Sequence, residues 1–322
     1  MLRRGLLHVG ESPGLRKVLT DTPVTRAVAR RFVPGESLDD LVGALRETSA
    51  TGLAATANYL GEAARSPAQT RAAVGAYLGL LERIEGDALD ANLSVKLTQL
   101  GMKLDRDLLL ENLDRILKRA EASGTFVRFD MEASEHVQDT LAIFERLWKG
   151  GHRGIGVVLQ AYLKRTPDDV NDMIRLGARV RLCKGAYAES ARVAHQDTRR
   201  IRRSFRELMR LLLQEGRYPA IATHDETLIR DTLGFAGREG IRPGTFEFQM
   251  LYGVRRDLQQ GLLDQGHRVR VYIPFGENWY PYLMRRLAER PGNVFFMVES
   301  MIKESPLGFL WPGRRGLGNR TP

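Results

Sequence analysis

The stretch that decides the fold is Thr125-Phe126-Val127-Arg128-Phe129-Asp130-Met131-Glu132. Val127 and Phe129 are apolar, and Arg128 and Asp130 alternate with them. Side chains of a strand alternate between its two faces, so one face here is apolar and the other charged. The same parity returns at Lys96 in Ser94-Val95-Lys96-Leu97 and at Arg181 in Val180-Arg181-Leu182. It returns again at Glu247 and Gln249 in Phe246-Glu247-Phe248-Gln249, and at Arg270 and Tyr272 in Arg270-Val271-Tyr272-Ile273.

Working outward, strand candidates lie at 51–60, 91–100, 125–132, 154–162, 179–185, 219–224, 245–251 and 268–274. Amphipathic stretches such as RDLLLENLDRILKRAEAS, EHVQDTLAIFERLWK, RSFRELMRLLLQEG and DETLIRDTLGFAGREG separate them. Strands that alternate with helices predict an α/β fold whose parallel sheet closes into a (β/α)8 barrel. The apolar strand faces then meet the helices, and the polar faces line the interior near the strand C-termini, where barrel enzymes place their sites. Half-solvated antiparallel edges would alternate in the same way, but helical crossovers of this length do not suit hairpins. An open, doubly wound sheet is the alternative, without a GxGxxG after any strand. The organisation expected is an N-terminal helical segment at 1–48, the barrel at 49–300 with a final helix over its mouth, and a C-terminal extension at 301–322.

Composition bounds the function. A chain of 322 residues with 43% hydrophobic and 27% charged residues is that of an ordinary globular protein. No apolar run reaches bilayer length, and MLRRGLLHVGESPG does not look like a secretory signal. One cysteine, Cys183, excludes an internal disulfide framework and suits a reducing cytoplasm; its expected role is packing. The net charge of +10 gathers in RRFVPGE, DTRRIRRSF, MRRLAER and PGRRGLGNR. No nucleic-acid motif accompanies it, so anionic ligands or an anionic surface are the expected partners, and no nucleic acid. No His/Asp/Glu cluster has ligand spacing, so no metal is expected.

In VYIPFGENWYPYLMRRLAER, residues Tyr282, Arg285, Arg286 and Glu289 share one helix side. Two adjacent guanidiniums can grip a carboxylate with a fork geometry that lysine lacks; an exposed basic face is the plainer reading of an RR pair. Lys96 and Asp130 sit near the ends of adjacent strands on the polar face, and neither suits burial alone. They could pair with each other, serve an anionic substrate, or, for Lys96 or Lys184, form a Schiff base as in aldolases. LCKGAY and ATHDET each lead from a strand toward a helix. There Gly185 permits close backbone approach, and Thr223, His224 and a helix N-terminus could serve a pyrophosphate.

Seven ordered blocks, SVKLTQLG, VRFDMEAS, VVLQAYLKRT, VRLCKGAY, ATH, FEFQMLYGVR and VYIPFGENWYPYLMRRLAER, resemble the proline dehydrogenase family in its short, single-function bacterial form. The resemblance implies non-covalent FAD in a distorted barrel. It implies oxidation of L-proline to Δ1-pyrroline-5-carboxylate, the first step of proline catabolism to glutamate. Carried over by motif, Arg285, Arg286 and Lys96 hold the proline carboxylate, and Tyr272, Tyr282, Leu251 and Asp130 shape the ring pocket. Gln160, followed by Ala161 and Tyr162, and Arg181 contact the isoalloxazine. Lys184, Gly185, Ala186, Tyr187, Thr223 and His224 fall in FAD-contacting stretches. Glu62 matches a glutamate that pairs with the first arginine, here Arg285, and closes the site. The family also implies a membrane quinone as electron acceptor, hence transient association with the inner membrane face, and the aldehyde dehydrogenase of the next step as a possible partner. The tail FLWPGRRGLGNRTP departs from the family pattern.

Overall fold

Eight parallel strands close on themselves in sequence order in the computed structural model, which describes residues 29–289, with side chains to Met284. They are β1 (Ala54–Tyr59), β2 (Ala91–Val95), β3 (Val127–Phe129), β4 (Ile155–Gln160), β5 (Arg179–Cys183), β6 (Ala220–Ala222), β7 (Glu247–Leu251) and β8 (Val269–Phe275). Closure is made by β1 against β8, in register from Ala54 opposite Arg270 to Tyr59 opposite Phe275. Seven of the strands fall within the stretches expected from the sequence, and β8 runs one residue past its stretch, to Phe275.

The intervening helices are α1 (Leu38–Ala50), α2 (Pro67–Gly86), α3 (Arg106–Ala122), α4 (Val137–Lys149), α5 (Thr166–Leu176), α6 (Thr198–Glu215), α7 (Glu226–Arg238), α8 (Arg256–Asp264) and α9 (Trp279–Glu289). Their starts are written in the sequence. Ser37 and Asp40 form a reciprocal capping box on α1, Asp105 accepts the first amides of α3, and Asp225 caps α7. On α3 the buried set Leu109, Leu113, Ile116, Leu117 and Ala120 follows the helical period and meets the outward strand residues Leu93, Val95, Val127 and Phe129 in one core. Burying each of these Leu and Ile side chains contributes about 1.5–3 kcal/mol.

The inner face is polar even at its base. Arg270 donates to Glu247 at 3.0 and 3.2 Å and to the Ala55 carbonyl at 2.6 Å. Gln249 also donates to Glu247, and Arg128 donates to the Arg179 carbonyl at 3.3 Å. Arg128 and Arg179 both lie over the Phe126 ring. Burial opposes ionisation of Glu247, but the charges of Arg270 and Arg128 outweigh it and hold the carboxyl below its usual range. Burial, then the neighbouring Arg181, pushes the Arg128 guanidinium well below its own.

Residues 33–277 form the barrel unit, while 29–32 and 278–289 belong to a second unit. Helix α1 lies within the barrel unit and packs on β1 and β8. In α9, Trp279 meets Tyr280 edge-to-face at 6.2 Å, and Tyr282 is buried. The side chains of Arg285, Arg286 and Glu289 and the extension at 301–322 lie outside the described residues, as does the chain before residue 29.

Candidate active site

At the C-terminal end of the barrel the inward residues of four strands meet around one carboxylate. Asp130 follows β3, its amide continuing the sheet onto the Val95 carbonyl at 2.9 Å. Its Oδ1 accepts from Arg181 Nη1 at 2.8 Å, and its Oδ2 accepts from the Tyr272 hydroxyl at 2.8 Å. Arg181 also donates to Ser94 Oγ at 3.1 Å and lies 5.4 Å from the centre of the Tyr272 ring. Arg181 is 5% exposed, and its Nε is buried without a hydrogen-bond partner among the described residues. Residues separated by 142 positions thus act as one unit.

The pairing decides one of the alternatives open to Asp130. Asp130 is bound to Arg181, not to Lys96, because the long Arg181 side chain crosses the interior from β5 to reach it. The Lys96 ammonium instead donates to Asn58 Oδ1 at 3.5 Å. Gln160, 2% exposed, donates from Nε2 to the Glu132 carbonyl at 2.9 Å.

A second cluster forms where β5 and β6 end. Asp225 Oδ2 accepts from Lys184 Nζ at 2.6 Å and from Arg202 Nε at 2.8 Å. Its Oδ1 accepts from the Thr227 amide, and its own amide donates to Thr223 Oγ1 at 3.1 Å. Burial raises the Asp225 carboxyl, but the two cations more than reverse this and hold it at about 2. An ammonium engaged by a carboxylate at this distance is a poor nucleophile, which counts against Lys184 as a Schiff-base lysine.

Gly185 has φ of +111°, and a Cβ built there would sit 2.2 Å from the Tyr162 ring. Glycine is therefore required at the point where the backbone leaves β5. Burial pushes the Tyr162 phenol well above its usual range. Ala186 and Tyr187 follow on the surface, the latter 38% exposed. Their loop is tied down by Glu189, which accepts from the Ser134 amide at 2.6 Å and from its hydroxyl at 2.5 Å.

His224 Nε2 accepts from the Leu251 amide at 2.9 Å. A main-chain N–H can only donate, so this bond selects the neutral ring with its proton on Nδ1. It also joins the ends of β6 and β7, with the Leu251 carbonyl held by Gln259 at 3.1 Å. Glu62 is exposed on the segment after β1. Tyr282, Arg285 and Arg286 lie on α9, in the other unit.

Of the expected residues, the structure joins Asp130, Arg181 and Tyr272 in one network, links His224 to Leu251, and sets Lys184 beside Thr223 through Asp225. Sequence reasoning missed Asp225 and Arg202. Asp225 was visible as the first acid after Thr223-His224, in the position of a helix cap. Arg202 lay within DTRRIRRSF, where nothing separates it from its neighbours except the helical phase that turns it toward Asp225.

Comparison with known proteins gives one consistent answer. The sequence profile of the family described as Proline dehydrogenase matches residues 41–299. Proline dehydrogenase 1 of Bacillus subtilis subsp. natto is 39% identical over 304 residues, 94% of this chain and 100% of that one. The proline dehydrogenase of Deinococcus radiodurans is 38% identical over 307 residues, covering 94% and 98% respectively. Among solved structures, proline utilization A from Bdellovibrio bacteriovorus superposes with a TM-score of 0.79 at 24% identity. That match covers 89% of this chain and 35% of the larger protein, and it bears on the fold. Within the described residues no helix is long and apolar enough to cross a membrane.

Proposed function

Because the chain belongs to the proline dehydrogenase family, we propose that it oxidises L-proline to Δ1-pyrroline-5-carboxylate, with a non-covalently bound FAD supplying the acceptor for the departing hydride. The observation that carries this reading is the Asp130–Arg181–Tyr272 network: a buried, fixed cation with a spare N–H at the end of the barrel where such folds place their chemistry.

The residues present suit that cofactor. Gly185 lets the main chain approach closely, and Lys184 and Arg202 supply positive charge that would suit a pyrophosphate, partly offset by Asp225. Lys184, Gly185, Ala186, Tyr187, Thr223 and His224 are assigned to FAD binding, with Gln160 and Arg181 toward its isoalloxazine. Arg285, Arg286 and Lys96 are assigned to the proline carboxylate, and Asp130, Leu251, Tyr272 and Tyr282 to the walls around the ring. Glu62 is assigned to a gate with Arg285.

Each group then has a physical task. Carboxylate binding orients the substrate ring. Surrounding cations disfavour the ammonium form of proline, leaving the amine lone pair to assist hydride departure. Arg181 offers a preorganised positive charge for the negative charge that arrives with the hydride. Electrons would leave to a membrane quinone, which suits a basic, cytoplasmic chain that visits the inner membrane face and passes its product to an aldehyde dehydrogenase. The division into segments 1–48, 49–300 and 301–322 belongs to the same proposal.

The test is optical. The purified protein should show a flavin absorbance spectrum that bleaches when L-proline is added without oxygen. A colourless protein that traps a carbonyl substrate on Lys96 or Lys184 with borohydride would overturn the proposal in favour of a Schiff-base aldolase.

A further inference from the structure

Three segments of the barrel end meet at Thr98 and Glu132, two buried residues that none of the roles above uses. Thr98 is 2% exposed and Glu132 is 9% exposed. The Glu132 carboxylate accepts from the Thr98 amide at 3.2 Å and from its hydroxyl at 2.6 Å, one bond on each oxygen. Thr98 lies two residues beyond Lys96, in the turn held by Gln99 N–H to the Lys96 carbonyl at 3.1 Å. The Thr98 carbonyl in turn accepts from the Ala64 amide at 3.0 Å, which anchors the segment carrying Glu62. On its other side, the Glu132 carbonyl receives the side-chain amide of Gln160.

Stability alone gives little reason for a buried carboxylate here. An apolar pair of similar volume would often hold the turn as well, without the cost of taking a charge out of water. What the carboxylate adds is direction: two bonds to one residue fix both its main chain and its side chain. We infer that Glu132 is a positioning residue. Through Thr98 it sets the backbone that presents Lys96 and the segment that presents Glu62, and through its own carbonyl it orients Gln160. The inference rests on the proline-oxidising reading of the site and deepens it.

The test compares Glu132→Ala, Glu132→Gln and Thr98→Val in the full-length, flavin-loaded protein. Glu132→Ala should raise the proline KM by about tenfold, the loss expected when a charge-assisted clasp is cut, with a smaller change in kcat. The dissociation constant of cyclopentanecarboxylate, a carboxylate ring without the amine, should rise by a similar factor in a spectral titration. Glu132→Gln can still accept from the Thr98 amide and donate to its hydroxyl, so both values should stay within about threefold of wild type. Thr98→Val should fall between them. A Glu132→Ala protein that melts lower but binds both ligands normally would overturn the inference, as would a Glu132→Gln loss as large as that of Glu132→Ala. If Glu132→Ala does not fold, Thr98→Val decides, and unchanged affinities in it overturn the inference. Wild type that fails to bleach with proline would defeat the underlying reading, whereas bleaching wild type with normal Glu132→Ala affinities defeats only the clasp.

Discussion

Removing the Asp130 carboxylate should injure the protein in a graded way that separates charge from shape. In Asp130→Ala, Arg181 keeps its bond to Ser94 Oγ but loses its counter-charge, and the Tyr272 hydroxyl loses this acceptor. The Arg181 side chain is 6% exposed, so water cannot replace what is lost. Breaking one side of a buried pair costs about 3–5 kcal/mol, because the surviving charge stays desolvated. For a domain of this size that is a fall in melting temperature of about 6–20 °C. Asp130→Asn keeps the geometry: its amide oxygen can still accept from Arg181, and its NH2 can donate to the Tyr272 oxygen. It loses charge assistance and should cost about 1–2 kcal/mol. The assays are thermal unfolding, flavin content, and the limiting rate of flavin reduction by proline. Both variants should reduce more slowly, since Arg181 is then held by weaker bonds. A Glu→Gln-like tolerance in Asn with a large loss in Ala is the expected pattern. If Asp130→Ala melts within about 2 °C of wild type, Arg181 does not depend on Asp130 and the network argument is wrong.

The remaining expectations follow from single features. Arg285→Met or Arg286→Met should each raise the proline KM by about 2–4 kcal/mol of lost charged hydrogen bonding while flavin content stays near normal; an unchanged KM in both removes the clamp. Glu62→Ala should weaken a proline analogue and slow flavin reduction in stopped flow, with equal rates and affinities ruling out a gate with Arg285. Asp225 has a folded carboxyl at about 2 against an ordinary 3.8, so its contribution to stability is complete above about 4 and drains away as pH falls toward 2. Asp225→Asn should flatten the acid limb of a stability–pH curve across that window, and an unchanged limb counts against the Lys184–Asp225–Arg202 cluster. Gly185→Ala should cost stability and flavin content together, because its Cβ would meet the Tyr162 ring at a φ that alanine resists; normal flavin content in that variant would mean the loop relaxes freely.

How far a sequence can be read here depends on whether the signal is local. Alternation in a strand is local, so Arg128, Arg181, Gln249 and Arg270 could be turned inward from a few neighbours, and the closed barrel followed from the helices between. Parity assigns a face but not a neighbour on that face. Lys96 and Asp130 come from adjacent strands and were the natural pair on paper; the actual partner of Asp130 comes from β5, 51 positions away. The Thr98–Glu132 clasp was hidden for another reason. Both residues lie just past strand ends, where the period-two pattern stops and turn geometry decides which way a side chain points. Arg202 needed the phase of a helix relative to the sheet, which packing sets and composition does not.

The pairing of β1 with β8 has a consequence for how the protein is made. Arg270 binds the carbonyl of Ala55, 215 residues earlier in the chain. At a synthesis rate of about 5–20 residues per second, β1 waits for its closing partner for about 10–40 s. Throughout that interval one edge of a nascent sheet is open, and an unpaired edge is a template for the wrong strand from another chain. Substitutions in Val269–Phe275 should therefore act first on the yield of soluble protein in the cell, lengthening the wait or weakening its end. They would be read as expression defects before any of them was read as a loss of catalysis.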